Sequence, residues 1–413
     1  MDKSINRFLK TYPWYAGVTG DLLFYIAIDT LFLTEVKHFS AAEIVSITSL
    51  SQLICIALQF PALFIMKKIG NTASLRSGAF CLLLSSIIIT VGKEYYLVLI
   101  GRVFHDLAAI FTTASVVALE NNLVMVDKKS DFVHYRTSGI TAYSVITLLI
   151  SFVASFMFNF NPYLPMVGCI ATCTLGFVFS LLMKDYSSYD KIKYKNKSDS
   201  KVKIHYDGLI ILTIILYSLF YSIVSNGQSE GKLFIQQNVA LAFDIETTAL
   251  IIGAIVCVSR MIRVISNVIF EKVYRKYQEK MGVVLTVLLA FSIALMLFGS
   301  FVPHVVTKIV IMGIGYSVIL FIRDPFKLYI QDVLFSILPK EQHLTVLTIL
   351  TFGVKISTAG LGLGFSAILL NFSMLVVIAI MLVIAVIEIM MGLILYKAIL
   401  KGKSQNKIIE YVT

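Results

Sequence analysis

Apolar residues in this sequence neither alternate nor recur with the spacing of a one-faced helix. They run together in long blocks separated by short polar segments, as in MLVIAVIEIMMGLILY at 381–396. Blocks of about 17 to 25 residues suit α-helices that cross a bilayer, whereas a membrane β-barrel needs alternating segments of about ten. The pattern predicts twelve spans, at roughly 14–36, 42–66, 74–92, 95–118, 138–158, 163–183, 208–236, 246–267, 281–302, 306–336, 344–369 and 372–398. The first follows a hydrophilic start, MDKSINRFLKTYP, and carries Asp21 and Asp29. It is too long and too polar for a cleaved signal segment, so it is expected to stay in the mature protein.

Composition agrees with a membrane protein. Of 413 residues, 58% are hydrophobic and 14% charged, against about 25% charged in soluble domains. A soluble enzyme and a disordered protein are excluded. The net charge of +11 would suit a nucleic-acid partner only if the cations were clustered for it. With the N-terminus in the cytoplasm, 25 of the 35 Lys and Arg fall in inner segments and three, Lys37, Lys93 and Lys308, outside. That asymmetry predicts both termini in the cytoplasm of a multi-pass protein of the cell membrane. The inner cations set topology and attract anionic lipid, so no nucleic-acid partner is expected. Trp14, with Tyr12 and Tyr15, reads as an interfacial anchor. All five cysteines lie in spans; Cys169 and Cys173 share a face without His or acid nearby and read as core residues, not metal ligands.

The longest polar stretch, 184–207, reads as a cytoplasmic linker. It separates an N-terminal six-helix bundle, 1–183, from a C-terminal one, 208–400, with a cytoplasmic tail at 401–413. The polar pattern of 118–137 is echoed weakly at 330–345. Two six-helix repeats are how many secondary transporters are built.

At this point the chain resembles the major facilitator superfamily over essentially all of residues 10 to 400. The loop after the second span, LFIMKKIGN at 63–71, matches the family signature at Lys68 and Gly70. Leu63, Lys67 and Asn71 stand at its Gly, Asp and final cation positions, so the interdomain lock made by that Asp has no Asp here. LVLIGRVFHDLAA at 97–109 looks like the family's Gly-Arg motif, with Arg102 at the Arg and Asp106 where a Gly is usual. The Gly-Pro-rich antiporter signature is absent from 138–152, which argues against a typical drug/proton antiporter. The resemblance implies an all-α fold with alternating access, and gives Lys68 and Gly70 a gating role.

An ionisable group at mid-bilayer costs roughly a few kcal/mol and normally faces a bundle interior or aqueous cavity. Asp21, Tyr25 and Asp29 recur every four residues and are predicted to share one helix face; Arg102, Asp106, Ala109 and Thr113 form a second stripe. Asp29 and Arg102 each lie about seven residues from one end of their spans, roughly 10 Å deep, and are placed to pair. An acid that gains and loses an Arg neighbour can load and release a proton, which makes Asp29, Arg102, Asp106 and Asp21 candidates for proton coupling. The same pair serves equally as a structural tie. Glu120, at the end of the fourth span, is a candidate gate or helix-end residue.

The C-terminal half carries the opposite sign, with Lys232, Arg260, Arg263, Arg323, Lys327 and Lys355 in its spans. Arg323, Lys355 and Lys327, in that order, are the candidate anion contacts, since a guanidinium can donate two hydrogen bonds to one carboxylate or phosphate. Tyr25, Tyr221, Gln228, Lys232 and Tyr316 complete the candidate substrate set. Arg260 and Arg263 are candidate gate residues or snorkelling cations. Gly227 and Gly231 are expected to break the seventh span, and Pro325 to interrupt the tenth. The glycines at 360, 362 and 364 are expected to serve close helix packing.

KAILKGKS at 397–404 has Lys397 where a phosphate loop needs its first Gly, and no metalloprotease or serine-hydrolase motif occurs. The expectation is a secondary transporter, not an enzyme, and without cofactor: proton-coupled, moving an anionic or zwitterionic small organic solute as a monomer among membrane lipids. Two alternatives stand beside it: an exporter or flippase of amphiphiles, whose greasy cavity the 12% aromatic content would line, and a non-transporting receptor or membrane enzyme.

Overall fold

The computed structural model describes residues 2–128, 131–187, 208–277, 280–338 and 343–412, and they are almost wholly helical. Among the described residues, eleven helices are long and apolar enough to cross a membrane. In chain order the elements are α1 (Asp2–Thr19), α2 (Tyr25–Leu31), a π-helical turn (Phe32–Val36), α3 (Ala41–Ile69), α4 (Asn71–Val91), α5 (Tyr95–Thr112), α6 (Ala114–Met125), α7 (Phe132–Phe160), α8 (Leu164–Leu182), α9 (Gly208–Ala240), α10 (Ile245–Tyr277), α11 (Met281–Ser300), α12 (Val305–Ile337), α13 (His343–Leu369) and α14 (Met374–Val412). The helices α5 and α6 together make the fourth span, Tyr95–Met125. The linker expected at 184–207 lies outside the described residues from 188 onward.

The first predicted span differs from the expectation. It is not one helix: the backbone unwinds over residues 20–24 between α1 and α2. The Asp21 carboxylate accepts the Leu22 backbone N–H at 2.8 Å, competing for a donor that an unbroken helix would turn to Val18. Helix resumes when Ile26 N–H donates to the Leu22 carbonyl at 3.0 Å. Asp21 therefore sits in the break, and Asp21, Tyr25 and Asp29 do not form the single-helix stripe that their spacing suggested.

Elsewhere the ends follow ordinary capping chemistry. Ser40 and Glu43 form a reciprocal capping box that starts α3. Gly70 joins α3 to α4 at φ 87° and ψ 173°, where a Cβ would be strained. Lys37 donates to the Thr90 carbonyl at 2.8 Å, placing a cation at the C-terminal end of α4.

Two further expectations are corrected. Helix α9 runs unbroken through Gly227 and Gly231, whose bare Cα atoms instead admit Ile319 and Met296 respectively. Helix α12 continues through Pro325; the proline cannot donate to the Phe321 carbonyl, and the Ser266 hydroxyl of α10 donates to it instead. Cβ atoms at Gly360 and Gly364 would meet nothing within 4 Å, so these two glycines do not serve close packing in this chain.

The chain separates into two compact units. One comprises α1–α8 with the segment Asp244–Cys257; the other comprises α9, the rest of α10 and α11–α14. In the first, Ile5, Phe8, Leu9, Tyr12 and Tyr15 of α1 are buried against Met66, Leu75, Phe111, Leu119, Leu123 and Met183. The opposite face of α1 exposes Lys3, Arg7, Lys10 and Trp14.

Candidate functional site

The break after α1 brings Asp21 to the middle of α5. The Asp21 Oδ1 lies 2.8 Å from His105 Nε2, and the other ring nitrogen, Nδ1, lies 3.2 Å from Asp106 Oδ1. The second Asp106 oxygen accepts from the Ser51 hydroxyl of α3 at 2.8 Å. A ring whose two nitrogens both face carboxylate oxygens satisfies both by donating twice. Arg102, one turn earlier on α5, interacts electrostatically with Asp106 first, then Tyr25, Asp21 and Asp29. Its Nε is buried without a hydrogen-bond partner. The Asp29 Oδ1 accepts the Thr30 backbone N–H at 2.6 Å. Of the four sequence candidates, Asp21, Arg102 and Asp106 thus gather around one histidine, with Asp29 one helix further along.

Packing holds the break in place. A Cβ on Gly20 would lie 2.5 Å from the Tyr143 ring, and one on Gly17 would lie 2.8 Å from Ile146, so α1 approaches α7 closely just before the unwound segment. Beside the histidine lies a cavity of about 290 Å³, whose lining includes His105, Tyr15, Thr19, Thr112, Thr113, Ser115 and Arg136 together with Leu82 and Val116.

His105 and Ser51 were missed in the sequence. The signal for His105 was present in the LVLIGRVFHDLAA segment, but the every-fourth-residue stripe through Arg102 and Asp106 passes it by. A third buried acid was missed as well. Asp185 accepts from Asn71 and Asn121 side-chain amides, each at 2.8 Å, and from the Ser187 hydroxyl at 2.7 Å. Its backbone N–H donates to Thr72 Oγ1 at 3.0 Å. Asn71, at the final position of the loop signature, is thus tied to the chain after α8. Among the expected gate residues, Lys68 and Glu120 are exposed, and Gly70 is the buried turn described above.

In the second unit, Arg323 of α12 donates through Nη1 to the Gln228 side chain of α9 at 3.0 Å, and its guanidinium carbon lies 5.9 Å from the Tyr221 ring centre. The Tyr316 hydroxyl donates to the Gln228 carbonyl at 3.3 Å. Arg323 Nε and Gln228 Nε2 are buried donors without partners. Under them, Phe220 and Phe326 stack at 3.5 Å between centroids. Arg263 makes a two-pronged ion pair with Asp324, at 2.8 and 3.1 Å. Lys232 is buried, Lys355 and Arg260 are half-buried, and Lys327 is exposed. Four of the sequence candidates, Tyr221, Gln228, Tyr316 and Arg323, are therefore neighbours. No group of three or more His, Cys, Asp or Glu able to hold a metal occurs among the described residues.

The model of the major facilitator superfamily matches residues 16–325. This chain belongs to the major facilitator superfamily. It is a membrane transporter of that family, not an enzyme. No curated protein sequence matches it. Among solved structures, the nucleoside transporter NupG is similar at 11% identity, with a TM-score of 0.74 over 95% of this chain and 99% of that one. A bacterial homologue of the lysosomal transporter Spinster, in an inward-facing and unoccupied conformation, aligns at 10% identity and TM-score 0.67, covering 97% and 98%. A POT family transporter in complex with 5-aminolevulinic acid aligns at 11% identity and TM-score 0.65, covering 96% of each chain. At such identities the likeness to these superfamily members is one of fold.

Proposed function

We propose that this superfamily member is a proton-coupled transporter of an anionic or zwitterionic small organic solute, working by alternating access with the bundles 1–183 and 208–400 as its moving bodies. The observation that carries the coupling is His105 held between Asp21 and Asp106 at 2.8 and 3.2 Å. Asp21 stands in an unwound segment, so a small shift of α1 or α2 changes one side of the histidine and leaves the other in place. Such a two-state contact lets conformation and proton occupancy drive each other. Arg102 and Asp29 belong to the same electrostatic neighbourhood.

The solute's negative group is assigned to Arg323, whose Nε and Nη2 sides are not spent on Gln228, with Tyr221 and Tyr316 beside it and Lys232, Lys355 and Lys327 as further cations of that unit. The cavity next to His105, with Arg136 in its lining, suits an uncharged polar end. 5-Aminolevulinic acid, the ligand in one similar solved structure, is of this solute class.

The test is uptake in proteoliposomes against a panel of amino acids, small peptides, nucleosides and organic anions under an imposed pH gradient. Uptake is expected to follow the gradient, to lose that dependence in His105→Gln and Asp21→Asn, and to lose substrate affinity in Arg323→Gln. Uptake indifferent to the gradient in the native protein would sink the coupling; unchanged affinity in Arg323→Gln would sink the anion assignment.

A further inference from the structure

Outside this site, a groove of about 560 Å³ lies beside the seam of α1 and α7, lined by Trp14, His134, Ser138, Thr141, Ala142, Val145 and Ile146. The two helices run parallel. Tyr12 accepts a hydrogen bond from Arg136, Ala16 touches Gly139, and Gly20 abuts Tyr143. That register sets Lys10, exposed one turn before Trp14, level with His134, which lines the groove, and Trp14 level with Ser138. Beyond them the lining is mostly apolar, with Ala142, Val145 and Ile146 beside Thr141. Trp14 is 60% exposed and Val145 50%.

The charges along α1 have the same direction. Lys3, Arg7, Lys10 and Trp14 follow helical spacing on the one face that the core leaves open. Lys10, which is exposed, and the exposed His134 ring are the polar groups one turn before Trp14 and Ser138. A cation and a ring N–H donor above an exposed tryptophan and an apolar trough match, in order, the phosphate, the glycerol region and the acyl chain of a phospholipid. A free phosphate would use only the first of these, and a detergent-like neutral lipid would leave Lys10 without purpose.

We propose that the α1–α7 groove is a binding site for one anionic phospholipid of the leaflet on the N-terminal side, with its phosphate at Lys10 and His134 and one acyl chain along Trp14, Val145 and Ile146. The site lies on the helix whose end unwinds at Asp21, and it does not depend on what the protein transports.

The protein in phosphatidylcholine nanodiscs is titrated with phosphatidylglycerol, and lipid retained after delipidation is counted by native mass spectrometry. One phosphatidylglycerol is expected to be held in preference to phosphatidylcholine. Lys10→Gln combined with His134→Gln should weaken its retention by about tenfold, in line with the surface contribution of a cation near anionic lipid. Ala142→Trp should do the same with every cation intact by filling the trough, and Lys93→Gln, an exposed cation elsewhere, should leave retention unchanged. Glycerol phosphate at large excess should not displace the lipid. Equal retention in the charge and groove variants, with melting temperatures matching the native protein, would overturn the proposal, as would displacement by glycerol phosphate alone. If the double variant fails to fold, Ala142→Trp and single Lys10→Gln carry the same decision.

Discussion

Asp21, Asp106 and Asp185 of the first unit each accept hydrogen bonds from side chains or backbone of other elements, among them His105, Ser51, Asn71 and Asn121. In the second unit, Glu388 of α14 is fully buried and neither carboxylate oxygen has a partner. Glu230 of α9 has the Ser229 hydroxyl, from its own neighbour in sequence, at 2.9 Å. The difference separates two uses of a buried acid. One that gathers donors from several helices fixes how those helices meet, and losing it strands the donors. One without donors costs stability wherever it stands, and an apolar side chain of similar size fits its place better.

The contrast is open to test by substitution, with thermal unfolding in detergent as the readout. Asp185→Ala should show the largest loss, about 3 kcal/mol, because it leaves the Asn71 and Asn121 amides without their acceptor. A loss below about 1 kcal/mol would mean that the cluster is not a tie. Glu388→Met should move the other way, raising stability by about 2 kcal/mol. A fall in melting temperature there would erase the distinction between the units. Gly70→Ala should cost about 1 to 2 kcal/mol through its positive φ alone, which calibrates a purely backbone effect between the two. Ser51→Ala should be the smallest, about 1 kcal/mol, because Asp106 keeps His105. A loss as large as that of Asp185→Ala would make Ser51 an essential member of the histidine network.

Much of the architecture was legible before any coordinates. Block length located the helices from the second span onward, since a bilayer admits little besides a helix of that length, although α10 and α14 run well past the predicted ends at 267 and 398. Among the candidate substrate residues, the second unit's Tyr221, Gln228, Tyr316 and Arg323 were picked from spacing and are neighbours. Glycine and proline were misread because their effect depends on what lies opposite. Gly227 and Gly231 were expected to break α9, yet they admit Ile319 and Met296, and Pro325 leaves a carbonyl that Ser266 answers from another helix.

The histidine shows the limit most clearly. Composition and hydrophobic pattern by themselves determined that this is a helical membrane protein with costly ions kept among its spans, because desolvation acts on each residue almost independently of its neighbours. Which of those ions meet was decided by tertiary structure alone. Asp21 reaches His105 across 84 positions of chain only because its own side chain draws the Leu22 N–H out of the helix and Tyr143 packs onto Gly20. Hydrogen bonds and contacts of that kind are made over about 3 Å, a distance that no periodicity along a single helix can report.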